Sequence, residues 1–441
     1  MVGAGPGVIY AGAFCPASDG DAMPFDPDRP TSTTAASSAY APGPKPAARP
    51  LSAAARARAG VPLEPALNLW GGLRRPEEAV DLPVIDADRA STVILPPRAR
   101  PSLQQIQASN WPTLSVLRRT WIRMRSSMIE TPLLRSARVD AELGGRLLVK
   151  AEVLQHTGSF KYRGAYNRLE LMSPEMRARG VVGYSSGNHA QGLAAAAREF
   201  GAPAVIVMPA DAPRTKIEGV LAYGAEIVFY DRLSDDRVGI TRRIGAERGM
   251  TVVSAYDDRD VIAGQGSIAV EMLDQAESLG QRPDVVVVPC GGGGLAAGTG
   301  LCLQALPDRP ALVIAEPAGH DDTARSIAEG RRIGNAPGVR TICDALATPI
   351  PGALTFAINA QVVDAAVAVT DADVARAMLY AFARFKLVVE PGGAAALAAV
   401  LAGRVPVAGR TVMVVLTGGN VDPDTFAKAL TEAQADRGQP I

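Results

Sequence analysis

The chain is predicted to be an α/β protein whose parallel sheets are covered by helices on both faces. Two features carry that expectation. Apolar runs such as Val285-Val-Val-Val-Pro289 and Val412-Met-Val-Val-Leu416 lack the polar alternation of a half-exposed sheet, so both of their faces are expected to be buried. Helical stretches separate these runs, and an alternation of strand and helix favours parallel order.

The regular pattern starts at Pro112. Leu114, Leu117, Trp121 and Met124 fall at helical spacing, and Thr131-Pro-Leu-Leu134 opens a strand. Strand Leu147 to Val153, helix Gly164 to Leu171, strand Val181 to Tyr184 and helix Ala190 to Phe200 follow. Strand Ala204 to Met208, helix Thr215 to Tyr223 and strand Glu226 to Phe229 continue the series. A second group comprises strand Val285 to Pro289, helix Leu295 to Leu306, and strands Leu312 to Ala315 and Val412 to Leu416. A short helical tail is expected after Asn420, with residues 426–441 outside the main region.

Residues 1–111 are rich in Pro, Ala, Gly, Ser and Arg, as in Ala41-Pro-Gly-Pro-Lys-Pro-Ala-Ala-Arg-Pro50, and show no sustained period. Such a composition buries too little apolar surface to offset its ordering entropy, so this extension is expected to be mostly disordered. Glu64 to Trp70 and Val93 to Pro96 are the parts expected to pack locally. A targeting segment or a mis-assigned start codon are the alternatives.

With 441 residues, 47% apolar and 20% charged, the chain has room for two or three domains with sizeable cores. Lys plus Arg equals Asp plus Glu at 45 each, so no overall field favours nucleic acid or an anionic membrane. Small-molecule partners are expected. Cys15, Cys290, Cys302 and Cys343 are scattered without C-x-x-C spacing, which argues against a zinc site or disulfide scaffold and fits a reducing cytoplasm. No apolar run reaches transmembrane length and the first basic residue is Arg29, so a soluble, cytoplasmic protein is expected.

Two segments carry chemistry. In Leu148-Val-Lys-Ala-Glu-Val-Leu-Gln-His-Thr-Gly-Ser-Phe-Lys-Tyr-Arg-Gly-Ala165, Lys161 stands between an apolar strand and a helix. Apolar neighbours such as Phe160 and Val153 would disfavour its ammonium and free an amine able to form an imine. In Asp284-Val-Val-Val-Val-Pro-Cys-Gly-Gly-Gly-Gly-Leu295, a strand breaks into Gly291, Gly292, Gly293 and Gly294 before a helix. Without Cβ atoms these residues can curl their N–H groups around an anion, with the positive helix end behind. A reactive amine beside a phosphate cradle implies a cofactor with both an aldehyde and a phosphate, which is pyridoxal 5'-phosphate (PLP).

With these motifs the chain resembles the serine/threonine dehydratase (threonine ammonia-lyase) family of fold-type II PLP enzymes, relatives of serine racemase with a tryptophan synthase beta-like fold. The resemblance rests on the Lys161 segment, Ser185-Ser-Gly-Asn-His-Ala-Gln-Gly192, Val261-Ile-Ala-Gly-Gln-Gly266, the four glycines, Val388-Val-Glu-Pro-Gly-Gly-Ala-Ala-Ala396 and Thr417-Gly-Gly-Asn420. It implies a catalytic region over 112–425. A large domain would take about 112–177 and 263–425, a small inserted domain about 178–262, and the cofactor the cleft between them. It implies a homodimer or homotetramer, and the short tail leaves no room for a C-terminal regulatory domain, so isoleucine feedback is not expected.

The family's roles carry over by position. Ser185, Ser186, Gly187, Asn188, His189 and Gln191 would bind the substrate carboxylate; the plainer alternative for this loop is a capping turn. Asn188 would contact the cofactor ring oxygen, and Ser186 would face the side opposite Lys161. Phe160, Glu390 and Thr417 would line the cofactor, Thr417 standing where the family usually has serine. A hydroxyl at the pyridine nitrogen would leave the ring largely unprotonated and favour prompt loss of a β-leaving group. Glu316, the His320 carbonyl and Asp322, in Glu316-Pro-Ala-Gly-His-Asp-Asp322, resemble a divalent-cation loop for Mg²⁺ or Ca²⁺.

The activity implied is deamination of L-threonine to 2-oxobutanoate or of L-serine to pyruvate, with ammonia released and Lys161 as base. Serine racemization and elimination from 3-hydroxyaspartate are the alternatives within the fold. Two other classes have weaker signals. Gly183-Tyr-Ser-Ser-Gly187 satisfies the hydrolase motif G-x-S-x-G, yet among His156, His189 and His320 only His320 follows an acidic partner. Gly292-Gly-Gly-Leu-Ala-Ala297 fits a dinucleotide-binding turn with Glu316 as the ribose acid, but leaves Lys161 without a role.

Overall fold

The computed structural model describes residues 92–94 and 101–435, apart from Pro213 and Leu233. Glu64 to Trp70, Cys15 and residues 436–441 lie outside the described residues. The elements begin with β1 (Thr92–Ile94), α1 (Leu103–Ala108), α2 (Leu114–Met124), β2 (Leu133–Arg135), α3 (Ala137–Leu143) and β3 (Arg146–Ala151). Next come α4 (Lys161–Glu170), α5 (Pro174–Arg179), β4 (Val181–Tyr184), α6 (Asn188–Glu199), β5 (Ala204–Pro209) and α7 (Arg214–Ala222). They continue with β6 (Glu226–Tyr230), α8 (Arg237–Arg248), β7 (Thr251–Val252), α9 (Arg259–Ser278), β8 (Val285–Pro289) and α10 (Gly294–Gln304). The last are β9 (Ala311–Pro317), α11 (Asp322–Glu329), α12 (Ala353–Val362), β10 (Ala365–Val369), α13 (Asp371–Tyr380), α14 (Pro391–Leu401), β11 (Thr411–Leu416) and α15 (Pro423–Ala435).

A seven-stranded sheet has the order β1-β10-β9-β8-β11-β3-β2, and a four-stranded sheet has the order β6-β5-β4-β7. The smaller sheet is wholly parallel, as the continuous apolar strands predict. The larger one is parallel through its centre and antiparallel at both edges, where β1 joins β10 and β2 joins β3. Strands β8 and β11 are buried along their whole length. Alanine-rich α14 is buried from Pro391 to Val400, its small side chains letting it lie close to β8 and β11.

The structure moves several expected boundaries. The ordered region starts before residue 112, because β1 pairs with β10 and because Ile106 and Trp111 are 6% exposed in the core around Leu117 and Trp121. The strand expected to reach Val153 ends at Ala151, where a 3₁₀ turn (Glu152–Leu154) carries the Glu152 carboxylate to buried Arg163. Helix α4 begins at Lys161 rather than Gly164. Glycine is a poor helix residue, but Gly164 sits inside this helix because a Cβ there would lie 2.9 Å from Val261 on α9. The four-stranded sheet takes its last strand from β7, and α9, which follows, packs on α4 and α10.

Helix α9 passes between the lysine-bearing α4 and the glycine-led α10 at backbone contact. A Cβ on Gly266 would lie 3.1 Å from Gly298 on α10, and one on Gly298 would lie 2.6 Å from the Ile262 carbonyl oxygen. Gly264 meets the Arg163 carbonyl in the same way. These contacts fix the spacing between the segments that carry Lys161 and the four glycines. Gly298→Ala is expected to lower stability by about 1–3 kcal/mol, since the added methyl meets main chain that can yield only by parting the helices. Denaturant unfolding measures this, and an unchanged midpoint would show that the helices separate freely.

Candidate functional site

Strands of both sheets deliver their carboxyl ends to one cleft, the usual location of a ligand in an open α/β sheet. A cavity of about 660 Å³ lies there. Phe160, Lys161, Ser185, Ser186, Gly187, Asn188, His189, all four glycines, Glu390 and Thr417 line it. Gln191 does not line it and turns instead toward Gly219 on α7, where a Cβ would lie 2.9 Å from its Oε1.

Lys161 is the first residue of α4 and is aimed by the turn before it. Thr157 takes the left-handed conformation, φ 61°, at a non-glycine position. The turn is fastened to the loop after β11, with Asn420 Nδ2 donating to Thr157 O at 2.7 Å, Gly419 N to Gly158 O at 2.9 Å and Phe160 N to Thr417 O at 3.1 Å. Lys161 Nζ donates to Ala255 O at 3.0 Å. Burial pushes this amine down to about 8, against the opposing pull of the Glu390 carboxylate. Glu390 rises to about 7 through burial and the nearby Asp344 charge, while Lys216, Asn188 and Lys161 pull it back.

The four glycines are oriented from behind by α12. Thr355 Oγ1 donates to Gly292 O at 2.7 Å and Asn359 Nδ2 to Gly293 O at 3.1 Å. Because a trans peptide points its C=O and N–H in opposite directions, fastening these carbonyls turns the N–H groups of Gly293 and Gly294 the other way, toward the cavity. Among the described residues the N–H groups of Gly291 to Gly294 have no acceptor. Any side chain on Gly292 would enter the ring of Tyr256. Gly293 has φ 90°, which strongly favours glycine.

Opposite, Ser185 to Gly187 lead into α6, whose first N–H groups have no partner within the helix. Ser185 Oγ accepts from Gly187 N at 3.1 Å and shapes the loop. Asn188 donates to Glu390 through a short hydrogen bond and accepts from Asn420 Nδ2 at 2.8 Å. His189 is buried, with Nε2 3.3 Å from Val253 O, and burial with the neighbouring Lys161 charge holds it neutral at about 3.

The chain matches the family model described as pyridoxal-phosphate dependent enzyme over residues 125–418. It belongs to that family. An L-threo-3-hydroxyaspartate ammonia-lyase of Pseudomonas sp is 41% identical over 308 residues, which are 70% of this chain and 95% of that protein. A serine racemase of Schizosaccharomyces pombe is 34% identical over 70% of this chain and 94% of its own. The crystal structure of a T.th. threonine deaminase has a TM-score of 0.66 at 40% identity, covering 70% of this chain and 99% of its own.

As a pyridoxal-phosphate dependent lyase the chain requires an amine and an anion cradle, and its residues fit. The amine of Lys161 is half free near pH 8, the glycine N–H groups are unengaged, and the Thr417 hydroxyl borders the cavity. The dinucleotide reading lapses, because Glu316 does not line the cavity beside the four glycines. The hydrolase reading lapses with it, His320 lying 3.2 Å from Val339 O. No helix among the described residues is long and apolar enough to cross a membrane.

Sequence reasoning passed over several residues. Ala255, Tyr256, Lys216, Arg237, Arg340 and Asp344 line the cavity, and Thr355 and Asn359 stand behind it. None lies in a segment with a chemical signature. Lys216, on α7, reaches across the cleft to Asp344 at 2.5 Å, and neighbouring Thr215 bonds Asp422, so the smaller part is latched to the larger one at its rim.

The depressed amine has a direct consequence for cofactor capture. Only free amine adds to an aldehyde, so the rate at which cofactor-free protein takes up pyridoxal phosphate is expected to rise through a midpoint near pH 8. Absorbance of the bound cofactor follows it. A midpoint near the ordinary lysine value would mean that the cavity does not favour the neutral amine.

Proposed function

We propose that the chain is an ammonia-lyase for 3-hydroxyaspartate, converting it to oxaloacetate and ammonia. The observation that carries this reading is Arg237, which lines the cavity with its guanidinium 5.1 Å from the centre of the Tyr184 ring. It has no carboxylate partner among the described residues, and Arg340 also borders the cavity. An unpaired arginine at a cavity wall suits a second carboxylate, which 3-hydroxyaspartate carries and threonine and serine lack. The activity of the Pseudomonas relative, an L-threo-3-hydroxyaspartate ammonia-lyase, agrees. L-Threonine and L-serine, the first choice from sequence, become secondary substrates.

Bound pyridoxal phosphate supplies the aldehyde that captures the substrate amine and the ring that accepts the electron pair of the broken Cα–H bond. Gly291 to Gly294 would hold its phosphate, and the Thr417 hydroxyl would be the neutral partner of its ring nitrogen. The first turn of α6 with Ser185, Ser186 and Gly187 holds the α-carboxylate by its N–H groups and positive dipole. Lys161 Nζ takes the α-proton, which a depressed amine can do at neutral pH. Ser186, at the cavity wall, would be the proton donor that a racemization needs on the opposite face.

Glu316, Asp322 and the His320 carbonyl are assigned to a Mg²⁺ or Ca²⁺ ion. The donor chemistry fits. Glu316 and Asp322 are both buried, and Asp322 Oδ2 has no partner while Oδ1 accepts from Asn335 Nδ2 at 2.9 Å. The His320 carbonyl accepts no backbone hydrogen bond among the described residues. No group of three or more His, Cys, Asp and Glu side chains suited to a metal occurs among them, so this ligand set depends on the carbonyl and on water.

Two measurements test these assignments. On a panel of β-hydroxy amino acids, oxaloacetate formation from 3-hydroxyaspartate is expected to have the largest kcat/KM. Arg237→Gln is expected to lower that value about 10- to 100-fold, the loss of one charge-assisted pair, while changing serine turnover only a few fold. Equal losses for both substrates would remove Arg237 from recognition.

For the ion, burial raises Asp322 to about 7 and Glu316 well above its usual range, the Asp322 charge adding to the rise of Glu316 and the Asp321 charge to both. Ligation requires both to lose their protons, so binding is favoured above about pH 7 and weakens as pH falls. After chelation, Mg²⁺ or Ca²⁺ is expected to raise the melting temperature more at pH 8 than at pH 6. No shift at either pH would leave the pair without an ion.

A further inference from the structure

The segment Val261-Ile-Ala-Gly-Gln-Gly266 has glycines with a packing role, but its glutamine is unexplained by packing. Gln265 is completely buried on α9, between the lysine helix and the four glycines. A Cβ on Gly164 would lie 3.1 Å from its Cγ and its Nε2, and one on Gly294 would run into its Oε1. The side chain therefore fits only because both flanking positions are glycine. Its Nε2 donates to Ala255 O at 3.0 Å. Lys161 Nζ donates to the same oxygen at the same distance, and this is the amine's one hydrogen bond among the described residues.

One carbonyl has two lone pairs and accepts both donors. The amide direction follows, because the reverse orientation would set two oxygens against each other. Ala255 O has no main-chain donor. Its loop is fixed on either side, by Ser254 Oγ accepting from Tyr256 N at 3.4 Å and Asp257 N at 3.0 Å, and by Asp257 accepting the first N–H groups of α12. The carbonyl itself is held by Gln265.

We propose that Gln265 is a positioning residue for the amine of Lys161, acting through the carbonyl of Ala255. This rests on the reading of Lys161 as the reactive amine. A lysine stem has four rotatable bonds, so a free amine without an acceptor spreads over many rotamers. Ala255 O gives it one station inside the cavity, and Gln265 keeps that station fixed whether or not the amine occupies it. Stability does not explain the glutamine, since its Oε1 is buried without a partner and an apolar side chain of equal length would avoid that cost.

The test uses the holoenzyme with Gln265→Met and Gln265→Glu. Methionine keeps the length and removes the donor. It is expected to leave the melting temperature equal or higher, to lower kcat about 10-fold or more with KM within about threefold, and to slow pyridoxal phosphate capture by the cofactor-free chain. A protonated glutamic acid can still donate to Ala255 O, whereas its carboxylate cannot. The ratio of Gln265→Glu to parent activity is therefore expected to fall as pH rises, although the parent gains activity through the titration of Lys161. A parent-like kcat and capture rate in Gln265→Met would overturn the proposal. If that variant fails to fold, a pH-independent ratio for Gln265→Glu would do so. Borohydride fixation and peptide mass spectrometry check the premise. Cofactor fixed on another residue would overturn the reading of Lys161 together with this proposal, whereas cofactor on Lys161 with an unchanged Gln265→Met would overturn this proposal alone.

Discussion

The site depends on a guanidinium buried out of reach of water. Arg163 is 0% exposed, two residues after Lys161, donates to both oxygens of Glu152 at 2.7 and 2.8 Å, and forms an ion pair with Glu271 at 2.7 Å. Lys150 reaches Glu271 and the Thr131 carbonyl, each at 2.5 Å, and Thr131 Oγ1 bonds Glu152 at 2.6 Å. The end of β3, the start of α4 and the middle of α9 are thereby tied to one charged cluster. Removing one member of such a network leaves an uncompensated buried charge and costs roughly 3–5 kcal/mol. Burial disfavours the Lys150 ammonium, and its two carboxylate neighbours restore part of that loss.

Close glycine contacts and this charge cluster divide the work. The glycines of α9 set how near the lysine helix and the phosphate cradle stand, and the charges set their rotation about one another. With both fixed, Lys161 and Gly291 to Gly294 border one cavity from different elements. The phosphate cradle has the same economy. Its carbonyls are turned away by Thr355 and Asn359, so its N–H groups converge before any anion arrives, which lowers the ordering cost of binding.

Electrostatics grade the cavity from wall to floor. Arg237 and Arg340 border it, Lys216 is bonded to Asp344 across the rim, and Lys161 with Glu390 lies at the floor, where burial brings both toward neutrality. An anionic substrate would meet positive charge first and a weakly charged amine last. That order suits proton removal, because a fully protonated lysine could not serve as a base.

The sequence by itself determined the fold class and most of the machinery. Buried parallel strands must be apolar on both faces, so β4, β5, β8 and β11 were legible, and chemistry confined to short segments made Lys161, the four glycines and the Ser185 to His189 loop legible too. Thr131-Pro-Leu-Leu134 marked the edge strand Leu133–Arg135, though not its antiparallel pairing. The other edge strand, Thr92–Ile94, was not legible as one, because three residues are too few for a period and its pairing is decided by the open edge that the larger sheet presents. Arg237, Lys216, Asp344, Thr355, Asn359 and Ala255 stand far apart in the chain, in segments without a signature of their own. Only the tertiary structure decided that they share one cleft, because their roles lie in distances across elements that no local pattern encodes.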